Sequence, residues 1–178
     1  LPILVRLGEV LERRQEIASF DPEQSYREIT VRLWGKGVTL RGIVAGSEIA
    51  GSRRFVARTG DLIVSKIDAR NGAIGLVPAH LDGGVVTQDF PLFAHDPLRL
   101  EPGFLSWMAR TPSFVDLCSN ASEGSTNRVR LKEERFLRME VPLPSLEEQR
   151  HIVSRIEEVA TRVEAVRRLQ EAQVELVH

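Results

Sequence analysis

Residues 141–150 read Val-Pro-Leu-Pro-Ser-Leu-Glu-Glu-Gln-Arg, and this stretch decides how the chain divides. The residues before it, 139–143, have the texture of a strand, and Pro144 helps to define a stop. Ser145-Leu146-Glu147-Glu148 then has the S-x-x-E form of a capping box, in which the Ser hydroxyl takes one free amide and the Glu carboxylate returns to the cap. About thirty residues without Pro or Gly follow. Within them Ile152, Ile156, Val159, Val163 and Val166 step by 4, 3, 4 and 3, which is a heptad seam. The seam then meets Gln170 and Gln173, while Leu169, Ala172 and Leu176 offer a shifted stripe. A helix over 146–178 would be about 50 Å long at 1.5 Å per residue. One small domain does not cover a stripe of that length, so the spacing predicts a partner helix. The plainer alternative is an amphipathic helix packed on its own domain alone.

Working outward toward the N-terminus, residues 102–118 read as a helix broken and restarted at Thr111-Pro112-Ser113. Glu101-Pro102 opens it, with Pro where its missing N–H costs nothing. Phe104, Leu105, Trp107 and Met108, then Phe114, Val115, Leu117 and Cys118, supply the apolar side. A polar loop spans 119–127, and a short helix is expected over 131–137. From 29 to 93 the texture is β. Short apolar or alternating runs recur at 29–33, 38–44, 53–58, 62–67, 73–77, 85–87 and 90–93, punctuated by glycines. A polar segment, 15–27, precedes them, and Leu7, Val10 and Leu11 predict a short helix over 7–14. The expected fold class is α+β. A β-rich domain over 1–144, with a curved antiparallel or mixed sheet and small helices, is followed by a long coiled-coil-like helix over 145–178.

With 178 residues and a net charge of −1, the chain suits one domain with an appendage. Hydrophobic residues make up 42% and charged residues 28%, the globular range. No apolar run approaches the ~20 residues that span a bilayer, and no secretory leader is visible. The chain opens on Leu1, which fits a fragment or a processed chain. The single cysteine, Cys118, forms no internal disulfide and reads as a small core hydrophobe. A reducing, cytoplasmic setting fits.

The near-neutral total hides local imbalance. Residues 27–70 hold nine basic side chains against four acidic, and residues 125–138 hold five against two. Residues 145–178 run the other way, with five basic and seven acidic. Local basic fields of this kind suit phosphate contacts, although solvated faces of strands and helices would look the same. Catalytic patterns are missing. His80, His95, His151 and His178 show no metal-ligand spacing, and no nucleophile elbow or P-loop occurs. Gly35-Lys36-Gly37 is a turn and not a dinucleotide fingerprint. Asp61 and Asp68 form a weak carboxylate pair at most. No catalysis, metal or cofactor is expected.

Several stretches together carry a family resemblance. Gly60-Asp61-Leu62-Ile63-Val64-Ser65-Lys66-Ile67 precedes Gly72-Ala73-Ile74-Gly75-Leu76-Val77-Pro78. Phe90-Pro91-Leu92-Phe93, Phe104-Leu105 and Glu123-Gly124-Ser125 follow, and the run closes on the 141–150 stretch. In this order they resemble the DNA-specificity subunit of type I restriction-modification systems, over nearly the whole chain. The resemblance implies a target recognition domain that reads one half of a split site on double-stranded DNA. It also implies a long helix that serves as spacer and docks methyltransferase subunits, in a complex with restriction subunits. The family's usual chain carries two such units and this one carries one. That leaves a natural half-subunit that dimerises, a piece of a tandem subunit, or the recognition end of a fused N6-adenine methyltransferase. From another class, a protein-interaction adaptor dimerising through its helix remains open.

Under that resemblance the candidates for DNA contact are polar and basic loop residues. They are Lys36, Arg53, Arg54, Lys66, Arg70 and Asn71, with Ser125, Thr126, Asn127, Arg128, Arg130 and Lys132. Arg or Lys bonds guanine edges and Asn or Gln bonds adenine, so Arg70-Asn71 and Thr126-Asn127-Arg128 stand out. Trp34 and Trp107 have the rings to stack on a base, although core or interface packing is the plainer expectation for both. The homodimer seam is assigned to Ile152, Ile156, Val159, Val163 and Val166.

Overall fold

The computed structural model describes residues 2–125 and 129–175, the last four of these by backbone alone. In chain order it begins with β1 (Ile3–Arg6), a 3-10 turn (Leu7–Glu9), β2 (Leu11–Arg14), β3 (Ser25–Val31) and β4 (Val38–Ala45). A short helix, α1 (Gly46–Ile49), leads to β5 (Phe55–Val56), β6 (Leu62–Val64), β7 (Ile74–Leu76), β8 (Val85–Val86) and β9 (Leu92–His95). The helices α2 (Pro102–Met108) and α3 (Pro112–Asn120) follow. Then come β10 (Ser122–Glu123), β11 (Arg130–Leu131), α4 (Glu133–Arg138), β12 (Glu140–Leu143) and the long α5 (Leu146–Glu175).

Two four-stranded sheets carry the body, in the orders β2-β9-β6-β7 and β4-β3-β8-β5. All pairs in the first are antiparallel, and β3 with β8 is a parallel contact in the second. The run Leu62-Ile63-Val64 shows why so apolar a strand is central. Successive strand side chains point to opposite faces. Leu62 and Val64 enter one core with Leu7, Phe93, Phe114 and Phe136, while Ile63 enters a second with Ile29, Phe55 and Leu92. A strand buried on both faces reads as a continuous hydrophobic run. Phe136 ties the first core together, with ring centroids 5.3 Å from Phe93 and 6.0 Å from Phe114. Cys118 is fully enclosed there, and burial pushes its thiol up to about 12.

The helix expected over 7–14 is not formed. Leu7, Val10 and Leu11 are all buried, as their spacing implied, but the backbone makes a 3-10 turn and then a strand. Leu11 to Arg14 gain a full antiparallel ladder with β9, which a single helical turn at this place would forgo. Both prolines that open α2 and α3 sit in the first turn, and the carboxylate of Glu101 and the hydroxyl of Thr111 cap them.

The long helix starts as the capping box requires. Ser145 Oγ accepts from the Glu148 amide at 3.3 Å, and Glu148 Oε2 accepts from the Ser145 amide at 3.1 Å. Its first turns lie on α2, where Gln149 is fully buried and Val153 nearly so. A Cβ on Gly103 would stand 3.0 Å from Val153 Cγ1, so glycine at this position lets the two helices approach. At 1.5 Å per residue the thirty residues of α5 extend about 45 Å, and most of that length leaves the body. No described helix is long and apolar enough to cross a membrane.

Candidate nucleic-acid interface

The tip of the β3–β4 hairpin, residues 32–37, is clamped onto the turn 65–72. The Trp34 amide donates to Asn71 O at 2.9 Å and the Gly35 amide to Gly72 O at 3.0 Å. Gly72 has a φ of +71°, and a Cβ there would stand 3.3 Å from Gly35 N and 3.4 Å from Trp34 Cα. Glycine is therefore needed both for the backbone angle and for the close approach. Asn71 Nδ2 reaches Asp68 Oδ1 at 3.3 Å, and the Asp68 amide reaches Ser65 Oγ at 3.1 Å, which fixes the turn internally. Beside the tip lies Arg110, at the end of α2, whose Cγ is 3.4 Å from where a Cβ on Gly35 would sit.

This arrangement gathers Arg32, Lys36, Arg70 and Arg110, all exposed. None of the four takes part in a salt bridge among the described residues. Two of the cations, Lys36 and Arg70, and the neighbouring Asn71 were expected from the sequence. Arg32 and Arg110 were not; for Arg110, only the tertiary contact brings the end of α2 beside the hairpin. Trp34 is not a core residue, the first of the two packing roles expected for it: it is 71% exposed, with a φ of +61°. For a residue with a bulky side chain that conformation costs about 1–2 kcal/mol relative to the right-handed region. Trp107 is half-buried and lies under the Arg110 guanidinium at 5.1 Å.

A second group of expected residues meets elsewhere. Lys66, Arg130 and Lys132 line one cleft of about 640 Å³. Most of its charge is already matched. Glu133 binds Lys66 Nζ through Oε1 at 2.6 Å and Arg13 Nε through Oε2 at 2.7 Å. Burial pushes the Glu133 carboxyl up, but the hydrogen bonds and charges of Lys66 and Arg13 outweigh it and hold the group below its ordinary range. Arg130 pairs with Asp89. Lys132 forms no salt bridge among the described residues and is exposed.

The third group lies at β5. Arg54 is mostly covered and binds Glu28 at 2.8 Å, while Arg53 is exposed with its guanidinium 5.4 Å from the Phe55 ring. Ser125 is exposed; Thr126, Asn127 and Arg128 lie outside the described residues. Eight of the twelve expected residues thus divide among three places; Lys132 and Arg53 each stand exposed outside the described salt bridges, and the hairpin tip gathers the largest group of such cations, Arg32, Lys36, Arg70 and Arg110. Asp61 has a structural task. It is 2% exposed and accepts from Arg14 Nε at 2.6 Å and from the Arg58 amide at 2.9 Å. Among the described residues no three His, Cys, Asp or Glu side chains group as a metal site.

The seam of α5 also divides. Ile152 and Ile156 border an apolar groove of about 510 Å³ against α2 and α3. Val159, Val163 and Val166 stand free, 46–56% exposed.

No family profile and no curated protein matches the chain. Solved structures do. The HsdS subunit from Thermoanaerobacter tengcongensis superposes with a TM-score of 0.72 at 28% identity, over 94% of this chain and 44% of that one. A chain of a structure described as the basis of complex assembly and conformational transition of the type I R-M system gives a TM-score of 0.69 at 28% identity, over 97% and 46%. The type I restriction-modification S subunit from M. genitalium shares the fold, with a TM-score of 0.60 at 16% identity over 92% and 40%. The chain therefore spans less than half the length of each of these, and the structural likeness agrees with the motifs that closed on residues 141–150.

Proposed function

We propose that the chain is a DNA-specificity component of a type I restriction-modification system, with residues 1–144 as the recognition domain and 145–178 as the spacer helix. One observation carries this. A 28%-identical superposition runs through 94% of the chain while spanning 44% of an HsdS subunit, so the chain corresponds to one domain-plus-helix unit. The unpaired cations at the hairpin tip support a DNA-facing role. Phosphate contacts there give affinity without sequence information, and Asn71 and the arginines beside it supply base-edge chemistry. The chain itself performs no catalysis; it positions methyltransferase subunits, which dock along the helix.

One unit reads half of a split site. Pairing of two α5 helices through Val159, Val163 and Val166 supplies the other half, because exposed apolar stripes of this kind seek partners. Antiparallel pairing places the two recognition domains at opposite ends. Binding of the purified chain to duplex DNA at increasing salt tests the reading. The expected result is measurable affinity that falls linearly with the logarithm of salt concentration. No binding at low salt, with or without a methyltransferase subunit, would overturn it.

A further inference from the structure

We propose that Trp34 is a stacking residue that enters the DNA where the hairpin tip meets it and lays its indole against the face of a destabilised base. The proposal rests on the reading of this surface as a DNA interface, and it adds a contact that neither charge nor base-edge hydrogen bonding supplies.

The ring is 71% exposed, so it contributes little to any core. Its backbone sits at a φ of +61°, where glycine would be free of strain and a bulky side chain is not. The surrounding structure over-determines that conformation. Amides of two successive residues, Trp34 and Gly35, are bonded to carbonyls of the 65–72 turn, and Arg32 N closes the hairpin on Gly37 O at 2.9 Å. The indole is thus presented on a rigid mount, which limits the entropy lost when it inserts. Strain held in place by its surroundings is characteristic of ligand-contacting sites.

The charge at the hairpin tip says what the ring meets. Arg32, Lys36, Arg70 and Arg110 are exposed and outside every described salt bridge, which suits a polyanion. Leu33, the preceding residue, is 38% exposed and adds apolar surface to the tip. Cations that grip phosphates around an apolar wedge are the means by which proteins unstack and hold a base step.

The test uses the full chain with Trp107→Phe, which leaves Trp34 as the sole tryptophan. Two short duplexes of one arbitrary sequence are titrated, one fully matched and one with a central mismatched pair. The expected result is quenching of the Trp34 emission on binding and tighter binding to the mismatched duplex. In the chain with both tryptophans, Trp34→Gly should lower affinity by about tenfold and erase the mismatch preference. Its melting temperature should not fall, because glycine suits the backbone. Trp34→Phe should keep most of the preference, and Lys36→Ala should weaken both duplexes equally. Unquenched emission in the saturated complex, or parental binding by Trp34→Gly, would overturn the proposal. So would loss of methyltransferase binding by Trp34→Gly with DNA binding intact, which would make the residue a protein contact. If the parent binds neither duplex, the DNA interface itself fails, and the stacking role with it.

Discussion

Gln149 Oε1 accepts a hydrogen bond from the backbone amide of Glu101 at 2.8 Å, and through this pair the long helix is fastened to the start of α2. The same side chain donates from Nε2 to Arg99 O at 2.9 Å and to Pro144 O at 2.8 Å. Gln149 is fully buried, so no water replaces these bonds. Gln149→Ala would leave one amide and two carbonyls without partners, each costing about 1–3 kcal/mol. We expect a loss of about 3 kcal/mol or more in urea unfolding. Gln149→Glu should be comparably damaging, because it sets a carboxylate against two carbonyl oxygens. A stability equal to the parent's would show that apolar packing of Ile152, Val153 and Ile156 holds the helix without these bonds.

Glu133 gives a pH prediction. Its carboxyl is held low in the folded chain by Lys66 and Arg13, so the folded state binds fewer protons than the unfolded one around the ordinary carboxylate pKa of 4.5. The group therefore stabilises the fold fully above that value, and the contribution is lost as pH falls through 4.5 and then through the lowered folded value. The stability gap between the parent and Glu133→Gln should be widest near neutrality and close as the pH is lowered. A gap that stays constant with pH would mean that shape, and not charge, accounts for it.

How much of this was legible follows from range along the chain. The start of the long helix was, because the Ser145–Glu148 box is complete within four residues. The buried identity of Leu7, Val10 and Leu11 was legible, yet their backbone was not, since the ladder that decides it comes from Leu92–His95. At the candidate interface, Lys36, Arg70 and Asn71 could be named from loop composition. That Lys66 and Arg54 are held by Glu133 and Glu28 could not, because local sequence carries no sign of a distant carboxylate. The exposure of Trp34 was hidden for the same reason: it depends on the hairpin tip bonding to Asn71 and Gly72.

The division between free and matched cations predicts unequal effects on DNA binding. Lys36→Ala and Arg70→Ala should each weaken binding across all sequences and make the salt dependence shallower by about one unit, the signature of a lost phosphate contact. If Arg70 instead meets a base edge, its loss should cost roughly 1–3 kcal/mol at one position of the site. Arg54→Ala should act mainly on stability, since removal leaves the mostly covered Glu28 with only the longer Arg41 contact at 3.7 Å. Parental binding by both Lys36→Ala and Arg70→Ala would move the interface away from the hairpin tip.

For the helix, Val159→Glu combined with Val163→Glu places carboxylates in the proposed seam, beyond the turns that pack on α2. The variant should sediment as a folded monomer while the parent sediments as a dimer, because a buried unpaired carboxylate is costly. A parent that stays monomeric at high micromolar concentration would remove pairing through these residues.

The central claim is that this chain is one reading unit of a split DNA site. Selection of duplexes from a random library by the purified chain, followed by sequencing of the bound fraction, tests it most directly. The expected result is enrichment of one short motif present twice, in inverted orientation and separated by a fixed gap, as two-fold pairing of the units requires. Enrichment of a single uninterrupted motif, or of no sequence at all, would contradict it.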